Sequence, residues 1–387
     1  MPASLPNSAS VVIIGGGVMG ASTAYHLSLK GCQDVILLER ESFFGLGATG
    51  KCAGGIRYQF STEINIQLSK VSLPMLDRFE EETGQSIDLR KCGYLFLLSN
   101  NDDLEKFRAN VRLQHQLGIE TEWLSGDEVR LMAPQLEASD VLAGTYYGED
   151  GLVDPHSVVN GYISAGRRLG LQAYNDVAVT GIKTTSGRIE GVETNAGTIF
   201  CDTVVNAAGP WSQLVSSMAG IPLPVTPVRR QMLTTTPMAQ IPSDFPFVVD
   251  FAQSLYFHRE GEGLLTGMSN PYQEPGFDES IDAVWEVAHM EAAIKRLPAL
   301  ASASRVSNWA GLYEVTPDAH PIIGPVRELS GYYLVTGFSG HGFMHGPAAG
   351  LLVSESIING QPETLDITML DYNRFAEGRE IEEYNVI

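Results

Sequence analysis

The residues best placed to do chemistry stand at the start of the chain. Gly15-Gly-Gly17-Val18-Met19-Gly20 follows the β-branched run Ser10-Val-Val-Ile-Ile and opens the helical pattern Ala21-Ser-Thr-Ala-Tyr-His-Leu. At such a junction Gly15 permits a sharp turn, Gly17 leaves room for a pyrophosphate, and Gly20 lets helix and strand pack closely. Phosphates would then meet the helix N-terminus, where unpaired N–H groups and the helix dipole favour negative charge. A second strand, Asp34-Val-Ile-Leu-Leu, ends in Glu39, nineteen residues past Gly20. A carboxylate there is placed to accept hydrogen bonds from an adenosine ribose, and it would repel the extra phosphate of NADP. The spacing therefore points to FAD or NAD.

Three further segments favour the flavin. Gly45-Leu-Gly47-Ala-Thr49-Gly50-Lys51-Cys-Ala-Gly54-Gly55 puts five glycines into eleven residues directly after the ribose acid, allowing close backbone approach to a ligand. The apolar run from Asp202 ends in Asn206-Ala-Ala208-Gly209-Pro-Trp211, small residues over which a flat ligand can pass. Near the end, Tyr332-Tyr-Leu-Val-Thr leads into Gly337-Phe-Ser-Gly340-His341-Gly342-Phe343-Met344-His-Gly346 and then a helix through Ile358. This second strand–loop–helix device could aim its N-terminus at the electron-rich edge of a reduced flavin.

Gly15-x-Gly17-x-x-Gly20 with Glu39-Arg40, the Asn206–Trp211 strand end and Gly337-Phe-Ser-Gly-His-Gly-Phe343 together resemble the D-amino-acid oxidase superfamily of flavoenzymes. The likeness is nearest to sarcosine oxidases and to the β-subunits of sarcosine oxidase and dye-linked L-proline dehydrogenase. It covers nearly the whole chain. It implies an α/β fold, α+β taken as a whole: a glutathione-reductase-like FAD-binding Rossmann domain with an inserted antiparallel-sheet substrate domain. It implies FAD-dependent oxidation of an amino acid at the Cα–N bond, on a secondary or N-methyl amine of the proline or sarcosine type. A glycine or D-amino-acid oxidase and a non-catalytic electron-relay subunit are the alternatives.

The resemblance also distributes roles. Arg57 would clamp the substrate carboxylate, and an arginine's fork suits that bidentate task; a structural or cofactor-bound arginine is the other reading. Tyr256 would donate to the same carboxylate or sit in the core. His341 would lie beside the flavin and act through its backbone, and the adenine would lie near Val177. Lys51 would neutralise cofactor phosphate or stay solvated. At three positions the chain departs from the monomeric sarcosine oxidases: Met344 replaces a carboxylate-binding lysine, Leu265 a lysine linked to oxygen activation, and Gly311 a cysteine that tethers the flavin. These departures imply non-covalent FAD, and they favour a dehydrogenase passing electrons to a quinone or dye-like carrier over an oxygen-using oxidase.

These residues need elements to hold them. Ser61 to Thr83 reads as a helix with a kink at Pro74, Cys92–Ser99 as a strand, Asp102–Leu117 as an amphipathic helix, and Leu124–Pro134 as a short helix plus turn. A helix runs to Leu169, followed by strands around Asp176–Thr185 and Arg188–Thr194. The expected division is a discontinuous FAD-binding domain of residues 1–84, 146–225 and 311–387, with residues 85–145 and 226–310 forming the substrate-binding domain. A length of 387 residues fits two lobes.

Composition narrows the partners. Lys+Arg of 25 against Asp+Glu of 46 gives a net charge of −21, which repels phosphate backbones and anionic lipid. Small amino-acid substrates and an electron acceptor are expected, with partner subunits or self-association left open. Four scattered cysteines without metal-ligand spacing fit a reducing compartment and no metal. No run is long enough to span a membrane, and the first ten residues lack the pattern of a secretory signal, so the cytoplasm is expected.

Overall fold

The computed structural model describes residues 5–386. Its first layer is a six-stranded sheet in the order Ile322–Pro325, Tyr332–Thr336, Thr203–Asn206, Val11–Ile14, Val35–Leu38, Gln172–Tyr174. All neighbours run parallel except the first pair. The apolar strands show why: each feeds both faces. Val11, Ile13, Val35 and Leu37 pack against the helices Val18–Leu29, Pro155–Arg168 and Gly342–Asn359. Val12, Ile14, Ile36 and Leu38 pack against the small antiparallel sheet of Val179–Thr185, Arg188–Thr194 and Gly197–Phe200. Continuous Val/Ile/Leu runs are what a sheet covered on both faces requires.

The second large sheet has eight strands, in the order Arg305–Val315, Thr226–Thr235, Gly263–Met268, Leu255–Glu260, Phe247–Asp250, Tyr94–Leu98, Ala143–Tyr147, Glu122–Ser125. It departs from the expected antiparallel sheet at one join, where Phe247–Asp250 lies parallel to Tyr94–Leu98. Those strands come from segments far apart in the chain, so no hairpin turn dictates their relative direction.

Local differences from the sequence reading have local causes. The helix Glu63–Asp77 continues through Pro74 and breaks only at Arg78, before a short helix Phe79–Thr83. Burial of Leu68, Leu73 and Leu76 on one side holds the turn that proline weakens. The Leu124–Pro134 segment begins as an edge strand, and Ser125 then caps the helix Gly126–Met132 in a reciprocal pair with Glu128. Val177 precedes the strand Val179–Thr185 instead of lying in it.

Candidate active site

Both glycine junctions behave as close-approach devices. Gly15 has φ +110°, and a Cβ there would lie 2.4 Å from the Ala207 carbonyl oxygen. At Gly20 a Cβ would sit 1.9 Å from the Gly15 carbonyl oxygen, so only glycine lets the helix Val18–Leu29 start so near its strand. Gly340, at φ +100°, passes beneath the Tyr313 ring, 2.3 Å from a would-be Cβ.

Neither Val18–Leu29 nor Gly342–Asn359 draws a side-chain cap from its own N-cap residue, and neither carries an acidic residue in its first turn. Their N-terminal residues Val18, Met19, Gly342, Phe343 and Met344 line one cavity of about 600 Å³. Helix N-termini facing a cavity suit phosphate at one end and developing negative charge at the other. Glu39 lines the same cavity. Its Oε2 accepts from the Gly16 N–H at 2.7 Å and its Oε1 from the Glu41 N–H at 2.9 Å, which orients the carboxylate and leaves lone pairs for hydroxyl donors.

The cavity collects most of the residues singled out above: Gly15, Gly17, Arg40, Gly47, Thr49, Lys51, Gly55, Val177, Ala208, Gly209, Trp211, Gly311, Gly340 and His341, together with Arg57 and Tyr256. Arg40 lies 3.9 Å above the Trp211 ring, and the Thr49 hydroxyl accepts from the Val18 N–H at 3.1 Å. Gly55 makes room for the Tyr94 phenol, whose oxygen would be 1.7 Å from a Cβ. Gly20, Gly50 and Gly337 are among the glycines outside the lining. Gly20 serves the packing just described, Gly50 fits beneath the His156 ring and the Gly45 carbonyl, and Gly337 turns at φ +80° against Thr316. The residues present therefore fit a dinucleotide stretched between two helix N-termini.

Charge placement separates the candidate roles. Lys51 lines the cavity half-buried, its Nζ 2.7 Å from Glu279 and its carbonyl accepting from the Trp309 indole at 3.0 Å. Arg57 is 4% exposed and lies 3.8 Å over the Phe60 ring, and its two terminal nitrogens donate to the carbonyls of Gln59 and Asn385. His341 faces its Nε2 to the Ala319 carbonyl at 2.9 Å and its Nδ1 to His345 at 3.2 Å. Burial pushes it down to about 3, so a neutral ring with both nitrogens engaged forms a wall and is not poised to take a proton. Met344 adds a second, apolar wall.

Several lining residues were not singled out from sequence. Arg230, Tyr313, Tyr94, Glu314 and Val386 all face the cavity. Arg230 had a signal, an arginine two residues from Met232 in the strand Thr226–Thr235, where alternation puts both on one face. Val386 had none, because only the folded chain brings residues 383–386 back against Arg57.

A parallel sheet with two glycine-lined phosphate-type junctions defines the class of dinucleotide-binding oxidoreductases. The comparisons place the chain more closely: residues 10–356 match the family described as DAO, FAD dependent oxidoreductase, and the chain belongs to it. Its cofactor is FAD. Human mitochondrial sarcosine dehydrogenase is 33% identical over 386 residues, covering 96% of this chain and 42% of that protein. Mitochondrial dimethylglycine dehydrogenase of Rattus norvegicus is 30% identical over 401 residues, covering 97% and 46%. The chain thus spans less than half the length of these curated relatives. The crystal structure of L-proline dehydrogenase from P. horikoshii matches with a TM-score of 0.90 and 32% identity, over 98% of this chain and 100% of that one.

Proposed function

We propose that this chain oxidises a secondary or N-methylated amino acid at a C–N bond. One observation carries the reading: the cavity joins a dinucleotide cradle to a chamber containing two guanidinium groups, Arg57 and Arg230, neither of which pairs with a carboxylate among the described residues. The names of the relatives agree, since sarcosine, dimethylglycine and L-proline are all N-alkylated amino acids.

Bound FAD supplies the acceptor for a hydride leaving the carbon next to nitrogen. The nitrogen lone pair then forms the C=N bond, and water adds to release an amine and a carbonyl compound. The chain's own work is to orient. A guanidinium receives the carboxylate, Tyr256 and Tyr313 offer hydroxyls, and His341 and Met344 confine the reacting carbon.

Leu265 and Gly311 extend the proposal. Leu265 is buried among Tyr256 and Met232, so no cation at that position stabilises charge on oxygen. Electrons would pass to a quinone or dye-like carrier in preference to oxygen. Gly311 packs against Lys51 and offers no thiol, so FAD would be held without a covalent bond there.

The division into residues 1–84, 146–225 and 311–387 against 85–145 and 226–310 remains our proposal for the domains. It is supported by the six-stranded sheet drawing only on the first set, while Ala143–Tyr147 and Arg305–Val315 straddle the joins. Among the described residues no helix is long and apolar enough to cross a membrane. Four unpaired cysteines support a reducing compartment.

The test is anaerobic. Sarcosine, dimethylglycine or L-proline should bleach the visible flavin band of the purified holoprotein, whereas glycine and D-alanine should not, and a dye should reoxidise the product faster than oxygen does. A flavin that no N-alkylated amino acid reduces would end the proposal.

A further inference from the structure

Four cations line the cavity, and three of them are already committed. Arg40 is stacked on Trp211 and paired with Glu41. Lys51 is neutralised by Glu279. Arg57 spends its two terminal nitrogens on the carbonyls of Gln59 and Asn385.

Arg230 differs. Its only hydrogen bond within the described residues runs from Nη1 to the Arg229 carbonyl at 3.0 Å. Its Nε is buried and has no partner. Burial lowers its affinity for its proton, as it does for Arg57, and no carboxylate pairs with it among the described residues. A half-buried guanidinium with an unpartnered Nε is complementary to an anion brought by a ligand.

The sheet explains why it stays open. Arg230 lies opposite Gly311 on the neighbouring strand, so that position sends no side chain towards it, and the Lys51 stem packs over the glycine. On the other side the row Met232–Gly267–Tyr256 again places glycine in the middle strand. The Tyr256 ring lies over that glycine, its hydroxyl 2.3 Å from a would-be Cβ, and so leans towards the Arg230 strand. Tyr313, two residues along from Gly311, stacks 5.1 Å from the guanidinium. Neither phenol donates a hydrogen bond to the described residues, and burial keeps both protonated. With glycine at both cross-strand positions, two phenols and one guanidinium converge.

We infer that Arg230, flanked by Tyr256 and Tyr313, is the carboxylate clamp of the substrate chamber, and that Arg57 is a positioning residue fixed by Asn385. The inference rests on the amino-acid reading above for the identity of the ligand, but the anion site itself is built by these side chains.

The experiment uses acetate as a non-oxidisable probe, titrated into the holoprotein while the visible flavin spectrum is followed. The wild type should show a saturable perturbation. R230A should weaken it at least about 100-fold, R230K about 10-fold because charge remains without the fork, and Y256F a few-fold. R57K should bind acetate within about 3-fold of the wild type. Flavin content equal to that of the wild type, and partial recovery in R230K, separate lost binding from misfolding. If R230A binds acetate as the wild type does, or if R57K abolishes binding while R230A does not, Arg230 is not the clamp. Acetate binding that depends on Arg230 in a protein no N-alkylated amine reduces would uphold the clamp and end the substrate reading. Reduction by sarcosine with KM unchanged in R230A would do the reverse.

Discussion

Glu314 borders the cavity with no cation beside it. Its Oε2 accepts from the Thr336 hydroxyl at 2.9 Å and its Oε1 from the Phe338 N–H at 3.4 Å, and burial pushes its carboxyl up to about 7. The native state therefore holds a proton that the unfolded chain releases near 4.5, and stability falls as pH rises through the window from 4.5 to 7. Glu314→Gln mimics the protonated form. The variant should match the wild type at pH 4.5 and exceed it by at most about 3 kcal/mol at pH 8. Urea melts of the holoprotein across that range check this, and parallel stability curves would refute it. The sequence held no hint of Glu314, since nothing local marks a glutamate that the fold buries among the ends of three strands. It did mark Gly15, Gly20 and Glu39, because their roles follow from spacing along one strand–turn–helix unit. Arg57 was legible as a residue facing the cavity, but its commitment to Asn385 was not, since the two lie 328 positions apart.

At the scale of elements, the two helices whose N-termini face the cavity are packed on each other. A Cβ at Gly346 would lie 2.6 Å from a Val18 methyl, and one at Gly350 would lie 2.3 Å from Ser22 Oγ and 2.6 Å from the Ser22 backbone. The Ser22 hydroxyl also donates to the Pro347 carbonyl at 3.3 Å. Two glycines four residues apart share a helix face, so they set the distance between the helices and with it the separation of the N-termini. Gly350→Ala should push the helices apart, cost about 1–3 kcal/mol and lower the flavin-to-protein absorbance ratio. Gly276, which has nothing within 4 Å of a would-be Cβ, supplies the control: Gly276→Ala should change stability by less than about 0.5 kcal/mol. Equal flavin content in the two variants would show that this packing does not govern the site. Helices of this kind were legible because an apolar period and a glycine junction are local signals. The parallel pairing of Phe247–Asp250 with Tyr94–Leu98 was not, because strand partners are chosen by contacts between distant segments.

At the scale of the molecule, the cofactor and the protein are both anionic. A net charge of −21 sets up a field that repels FAD, whose pyrophosphate is negative. Binding must therefore be local, through the N-termini of Val18–Leu29 and Gly342–Asn359. The two contributions respond differently to salt. Long-range repulsion between exposed charges is screened once the Debye length falls to about 10 Å or less, whereas N–H groups in contact with phosphate inside a cavity are screened far less. Uptake of FAD by the apoprotein should accordingly speed up several-fold between about 0.01 M and about 0.1 M salt, while the release rate changes little. Stopped-flow quenching of flavin fluorescence measures both rates. An uptake rate that falls with salt would mean that a local positive field, with Arg40 at its mouth, outweighs the charge of the whole surface and steers the cofactor in.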